Sequence, residues 1–147
     1  MSILETRTGI VLFNPNKVKM GIRSDEIMAA YESSEMIKEL IAKNEWVGTI
    51  QNPIDQFNMG TFLSIDPRAV AFKIKNIWKM KEKIFGDIEI LDTEAGRHLY
   101  KFFKMMVFVP RALGHKEENK CMLITFDVRP DVAKAQVESE DTDGVQE

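Results

Sequence analysis

The sequence predicts an α+β domain built on a mainly antiparallel sheet, and three observations carry that reading. Apolar residues alternate with polar or small ones at 70–75, 84–90 and 122–128, the two-residue period of half-buried strands. Ile27, Met28 and Tyr31, then Ile37, Leu40 and Ile41, and later Leu99, Phe102, Phe103 and Met106, fall at helical spacing and read as core-facing stripes. These helical stretches do not alternate regularly with the strands, which argues against a parallel strand–helix–strand architecture.

Taken in order, Thr8 to Phe13 is a short β-prone run stopped by Asn14-Pro15-Asn16, where proline presets φ and asparagine tolerates turn angles. Ser24 is the expected N-cap of the first helix, with Asp25 and Glu26 in its first turn facing the positive end of the dipole. Ser33 or Ser34 breaks or recaps this helix before the second stripe. Trp46 to Ile50 reads as a strand and Gln51 to Gly60 as a loop punctuated by Pro53, Asn58 and Gly60. Val70, Phe72 and Ile74, then Ile84, Gly86, Ile88 and Ile90, flank Lys81-Glu82-Lys83 and form a hairpin. Thr93 caps a helix that gives way to a β-like run at 105–109. Met122, Ile124, Phe126 and Val128 make the last strand, ended by Arg129-Pro130.

The chain of 147 residues is long enough for one well-buried core. The expected division is a single domain over 1–137 followed by a tail over 138–147. That tail is acidic and free of aromatic residues, so it lacks the apolar surface needed to order itself. With 44% hydrophobic and 29% charged residues the composition is that of an ordinary globular protein. A net charge of -3 gives no electrostatic case for nucleic acid as a partner. The single Cys121 excludes an intramolecular disulfide, fits a reducing compartment, and reads as a small strand residue rather than a reactive thiol. No apolar run has the length of a membrane helix, and Met1 to Thr8 lacks the apolar region of a signal peptide, so no membrane partner is expected. No cluster of His, Cys, Asp and Glu has metal-ligand spacing, and neither a metal nor a cofactor is expected.

Several short motifs then fall in a suggestive order. Gly9-Ile10-Val11-Leu12-Phe13 with Asn14-Pro15-Asn16-Lys17 comes first, followed by Gly48-Thr49-Ile50-Gln51-Asn52-Pro53 and Asp66-Pro67. Ile74-Lys75-Asn76-Ile77-Trp78, Ile84 to Leu91 and Thr93 to Gly96 lead to Val109-Pro110-Arg111-Ala112-Leu113-Gly114. In order and spacing over 8–132 these resemble the tailed-phage prohead proteases, which share the herpesvirus assemblin fold. In that family a buried strand is followed by a nucleophile loop reading Ser-Ser-Arg-Gly/Ala-x-Gly. The resemblance implies a small closed or nearly closed barrel flanked by two or three helices. It further implies residence in proheads or virions assembled in the host cytoplasm.

The catalytic slots of that family are filled here by residues that cannot do the chemistry. The general-base histidine falls on Asn52, whose amide does not titrate near neutral pH. The nucleophile slot falls on Val109, which has no hydroxyl, and the carboxylate slot before the hairpin's aromatic-Gly falls on Lys83. Arg111, which in the family helps build the oxyanion site, and Gly114 are retained. Arg111 either packs and pairs within its own segment or contacts a partner, and the first is preferred. A nucleophile and base within hydrogen-bond reach are required for serine-type hydrolysis. The expected function is therefore that of a degenerate, non-catalytic member. It would bind capsid, core, portal or neck proteins, or another copy of itself.

The rival reading is an active serine-type maturation protease with a relocated site, in which His115, next to Gly114, acts as base. Ser64 before Ile65-Asp66-Pro67 is a conceivable substitute nucleophile, though a serine near a turn is normally a turn former. His98 beside Arg97 reads as a helix surface residue. Phe57, Met59 and Phe62 are candidate partner contacts, since apolar residues in a loop need cover from a partner or from the core. Lys73, Lys75, Lys79, Lys81 and Lys83 read as a solvated strand face. Ile3-Leu4-Glu5 matches the Ile/Leu-x-Glu pattern that the family's proteases favour, as does Ile37-Lys38-Glu39 within a helix.

Overall fold

Ile84, Ile88 and Ile90 are fully buried together with Phe72, so the alternation in the sequence marks the inner face of a sheet. The computed structural model describes residues 2–51, 63–115 and 120–131 and, of His115 and Lys120, the backbone alone. Its elements are β1 (Ile3–Phe13), α1 (Ser24–Ser33), α2 (Glu35–Ala42), β2 (Val47–Thr49), β3 (Val70–Met80), β4 (Lys83–Leu91), α3 (Glu94–Lys101), β5 (Met106–His115) and β6 (Lys120–Pro130). Four strands pair antiparallel in the order β1-β4-β3-β2, and β5 pairs with β6 as a second, two-stranded sheet. The mixed α and β class with antiparallel pairing is as the sequence predicts.

The closed barrel is not found among the described residues. β2 is three residues long, and the residue after it, Ile50, meets Val128 of β6 through one isolated parallel bridge instead of a ladder. Side chains span the rest of that seam. Thr125 Oγ1 donates to the Val47 carbonyl at 2.6 Å and Trp46 Nε1 donates to the Ile124 carbonyl at 3.0 Å. Gly48 makes the approach possible, because a Cβ there would lie 2.2 Å from both the Phe126 carbonyl oxygen and the Phe72 ring. Trp46 is sandwiched at the seam, its ring 5.7 Å from Tyr31 and 6.2 Å from Phe126.

β1 begins five residues earlier than the β-prone run at Thr8, because Ile3 to Arg7 pair with Leu91 to Ile88 of β4. Ile3-Leu4-Glu5 is thus strand, with Ile3 opposite Leu91 and Glu5 in an ion pair with Arg7. The turn at 14–17 is as expected, with Asn14 accepting through its carbonyl from Lys17 and Val18 and through its side chain from Asn16. Ser24 is not the N-cap. It is the first residue of α1, buried, and its hydroxyl donates to the Glu82 carbonyl, while the Glu26 carboxylate accepts from Arg23 N at the helix start. Ser34 does cap α2, accepting from Ile37 N at 3.1 Å, and Thr93 caps α3 through Gly96 N at 2.9 Å.

The segment Val109–Gly114 is not a loop. It lies inside β5, with Val109 opposite Asp127, Pro110 opposite Phe126 and Gly114 opposite Cys121. Proline is tolerated because the described residues ladder with β5 on one side only, leaving an edge where an N–H is not required. The register of β6 shifts between the Arg111–Thr125 and Ala112–Leu123 pairs, leaving Ile124 as a bulge. The bulge reverses the expected facing of the strand. Phe126 and Val128 are buried as expected, but Leu123 is buried in place of Met122, which the alternation puts inside and which is 46% exposed.

Candidate functional site

The polar centre of the molecule grows from the strand β6. Thr125 and Asp127 face away from Phe126 and Val128, yet are buried because β2 and Arg111 of β5 cover that side. Asp127 is 0% exposed and Arg111 7%. Their contact is bidentate, Arg111 Nε to Asp127 Oδ2 at 2.7 Å and Arg111 Nη2 to Asp127 Oδ1 at 2.9 Å. Asp127 Oδ1 also accepts from Thr49 N at 3.0 Å and Thr49 Oγ1 at 2.9 Å, while Oδ2 accepts from Gln51 Nε2 at 2.8 Å. Thr49 Oγ1 in turn accepts from Arg111 Nη2 at 3.2 Å, and Arg111 Nη1 donates to the Ser64 carbonyl at 2.6 Å. A buried ion pair recovers its desolvation cost only when the remaining lone pairs and protons also find partners, as they do here.

This arrangement ties both ends of the segment 52–62 to one ion pair: Thr49 and Gln51 before it reach Asp127, and Ser64 after it reaches Arg111. It is suited to holding strands and chain ends in place. An oxyanion site needs donors aimed at an empty position where charge develops. The guanidinium of Arg111 points instead at a carboxylate, a hydroxyl and a carbonyl of its own chain. Sequence reasoning singled out Arg111 and missed Asp127, Thr49 and Gln51. The available signal was an aspartate between Phe126 and Val128 in a strand with apolar residues on both sides.

The other candidates are dispersed. Val109 is buried at 7% exposure beside the ion pair, whereas Lys83 is half-exposed at the start of β4 in the other sheet. Asn52, Phe57, Met59 and Phe62 lie outside the described residues, as does the tail at 138–147. Gly114 sits near the end of β5, where a Cβ would lie 3.1 Å from Ile22. His98 is exposed on α3 with its ring 4.8 Å from that of Phe102. Only the backbone of His115 is described, opposite Lys120.

Among the described residues, four hydroxyls and the thiol are bonded within the fold. Ser24, Thr93 and Thr125 donate to the carbonyls of Glu82, Val70 and Val47, and Thr49 donates to Asp127. Cys121 donates to the Glu26 carbonyl at 3.3 Å; burial, and secondarily the Glu26 charge, push its pKa above the ordinary thiol value. Among the described residues no group of three or more His, Cys, Asp or Glu could hold a metal ion, and no helix is long and apolar enough to cross a membrane. A separate apolar cavity of about 630 Å³ lies between α2 and β6, lined in part by Met36, Leu40, Trp46, Leu63, Met122 and Ile124.

No protein-family model matches the chain, and no curated protein sequence matches it significantly. Among solved structures the chain is similar to the bacteriophage T4 capsid assembly protease gp21, with a TM-score of 0.48 and 13% sequence identity, over 88% of this chain and 90% of that one.

Proposed function

We propose that this chain is a non-catalytic relative of the phage prohead proteases that serves as a structural or assembly protein of the prohead or virion by binding other proteins. The observation that carries the proposal is the commitment of Arg111 to Asp127, Thr49 and the Ser64 carbonyl, next to a buried valine at the nucleophile slot. A residue that would help stabilise an oxyanion in an active member serves here to fasten strands, and the scaffold persists without its chemistry. The ordered motifs from Gly9 to Gly114 support the family assignment, and Val109 with Asn52 supports the loss of hydrolysis. Its partners are capsid, core, portal or neck proteins, or a second copy of the chain.

Mass spectrometry of purified proheads and virions, combined with cross-linking, tests this reading. The chain should be recovered from particles and cross-linked to a structural protein. The purified protein should neither hydrolyse capsid-core peptides nor label with serine-directed reagents. Turnover abolished by a point change at His115 or Ser64 would establish a relocated catalytic site instead, and absence from every assembly intermediate would remove the structural role.

A further inference from the structure

The outer face of the four-stranded sheet departs from the rule that a solvated sheet face is polar. Val11, Phe85 and Trp78 form a row across β1, β4 and β3, each opposite the next in register, and Met80 follows on the same side. Val11 is 37% and Met80 58% exposed, and both aromatic residues are partly exposed. The rings of Trp78 and Phe85 lie nearly parallel, 19° between planes with centroids 6.3 Å apart, so together they present one broad apolar surface.

The charges of this face are close to balance, and their order along β4 is specific. Lys83, Phe85, Asp87 and Glu89 share the outer side of the strand, since Ile84, Gly86, Ile88 and Ile90 between and after them are buried. Glu89 is met from β3 by Lys75 at 3.5 Å and by Lys73, which is in register with it. Asp87 accepts from Gly9 N at 2.9 Å, and no ion pair joins Asp87 or Lys83 to another side chain among the described residues. A cation and an anion, neither with a counter-charge, thus stand two residues to either side of Phe85.

We infer that this face is a self-association surface, on which a second copy of the chain packs sheet against sheet about a two-fold axis running along the aromatic row. An axis in that direction turns the strands of the two copies antiparallel, so positions equidistant from Phe85 on opposite sides come to face each other. Lys83 then lies over Asp87 of the other copy and Asp87 over its Lys83, while Val11, Phe85 and Trp78 cover their own images. The other two-fold arrangement, with the axis along the strands, sets lysine over lysine and aspartate over aspartate. A partner of one charge sign satisfies one of the two groups and repels the other, whereas a second copy satisfies both. This surface rests on the protein-binding role proposed above, to which it gives one partner and a register.

The test uses the full chain in sedimentation equilibrium, carried up to about 1 mM because a three-stranded face makes a small interface. The parent chain should show a monomer–dimer equilibrium. Lys83→Glu and Asp87→Lys should each weaken it roughly ten-fold or more, since each creates two like-charge contacts per dimer. Mixed in equal amounts, the two folded variants should associate about as tightly as the parent, because both contacts of the mixed dimer then join opposite charges. Asp87→Lys also gives up the bond to Gly9 N, so a second measurement is made on the parent chain. Carbodiimide, which joins an ammonium and a carboxylate in direct contact, should link Lys83 to Asp87 between isotope-labelled and unlabelled copies. Within one copy the two lie about 14 Å apart along the strand, out of reach of such a link. A monomer at every concentration, a mixture no tighter than either folded variant alone, or a dimer whose links map only elsewhere would each overturn the surface. None of these results touches recovery of the chain from particles, which tests the wider protein-binding role by itself.

Discussion

Arg111 and Asp127 meet across the β5–β6 hairpin in a bidentate, buried ion pair that also holds Thr49, Gln51 and the Ser64 carbonyl. Removing one charge leaves the other buried and uncompensated. Asp127→Ala should therefore destabilise the protein by about 3–5 kcal/mol, read as the shift of the urea unfolding midpoint. The double variant Arg111→Met with Asp127→Leu should recover a large part of that loss, because both desolvation costs vanish together. Equal destabilisation by the single and double variants would mean that the bonds to Thr49, Gln51 and Ser64, rather than the ion pair, dominate.

Gly48 supplies the second prediction. A Cβ at this position would approach the Phe126 carbonyl oxygen and the Phe72 ring to 2.2 Å, and the backbone oxygen cannot swing away as a flexible side chain could. Gly48→Ala should cost at least about 2–3 kcal/mol by forcing β2 off β6. Gly21→Ala is the matched control, since nothing lies within 4 Å of its built Cβ, and its unfolding midpoint should stay within about 0.5 kcal/mol of the parent.

Cys121 should behave as an unreactive thiol near neutral pH. Burial raises its pKa above the ordinary thiol value, and the neighbouring Glu26 charge adds to the shift. Because the folded state favours the protonated form, the associated stability is fully present below the unfolded-state pKa and declines as pH rises through the folded one. Thiol-reagent labelling at a mildly alkaline pH should be slower than that of the urea-unfolded chain, and Cys121→Ser should flatten the loss of stability on the alkaline side. Labelling as fast as in the unfolded chain would show that the thiol is neither buried nor shifted.

The hairpin of β3 and β4 was legible because its alternation depends on one sheet face being buried, and Ile84, Ile88 and Ile90 obey it. Thr93 was legible as a cap because its bond is local, to Gly96 three residues on. Ser24 was not, since its hydroxyl is drawn to Glu82, a carbonyl 58 residues away that no local rule identifies. The bulge at Ile124 similarly depends on the register with β5, and it misled the period-two reading on the Met122 side alone. In the site, Arg111 drew notice through a motif, whereas Asp127 and Thr49 are joined across 78 positions and look solvent-facing to a strand pattern. The β2–β6 seam has the same character: among the described residues side-chain bonds span it in place of a backbone ladder, and no sequence period reports that choice.

Restoring the missing catalytic residues should not create a protease. Val109 shares a strand face with Arg111 and lies opposite Asp127, so a serine placed there enters a buried layer whose arginine is already bonded to that carboxylate. Pro110 fixes the next backbone angle, so the following segment cannot readily open into an exposed nucleophile turn. A base at position 52 would also have to reach the new hydroxyl within about 3 Å and in a productive orientation. The double variant Asn52→His with Val109→Ser is therefore expected to show no peptide hydrolysis above background. It should lose about 2–4 kcal/mol of stability from the two buried methyl groups removed, the space they leave and the hydroxyl introduced. Assay with a fluorogenic peptide containing Ile-x-Glu, alongside urea unfolding, measures both. Multiple turnovers by this double variant, absent when Asn52→His is combined with Val109→Ala instead, would show that the strand at 109 opens and that a catalytic geometry survives.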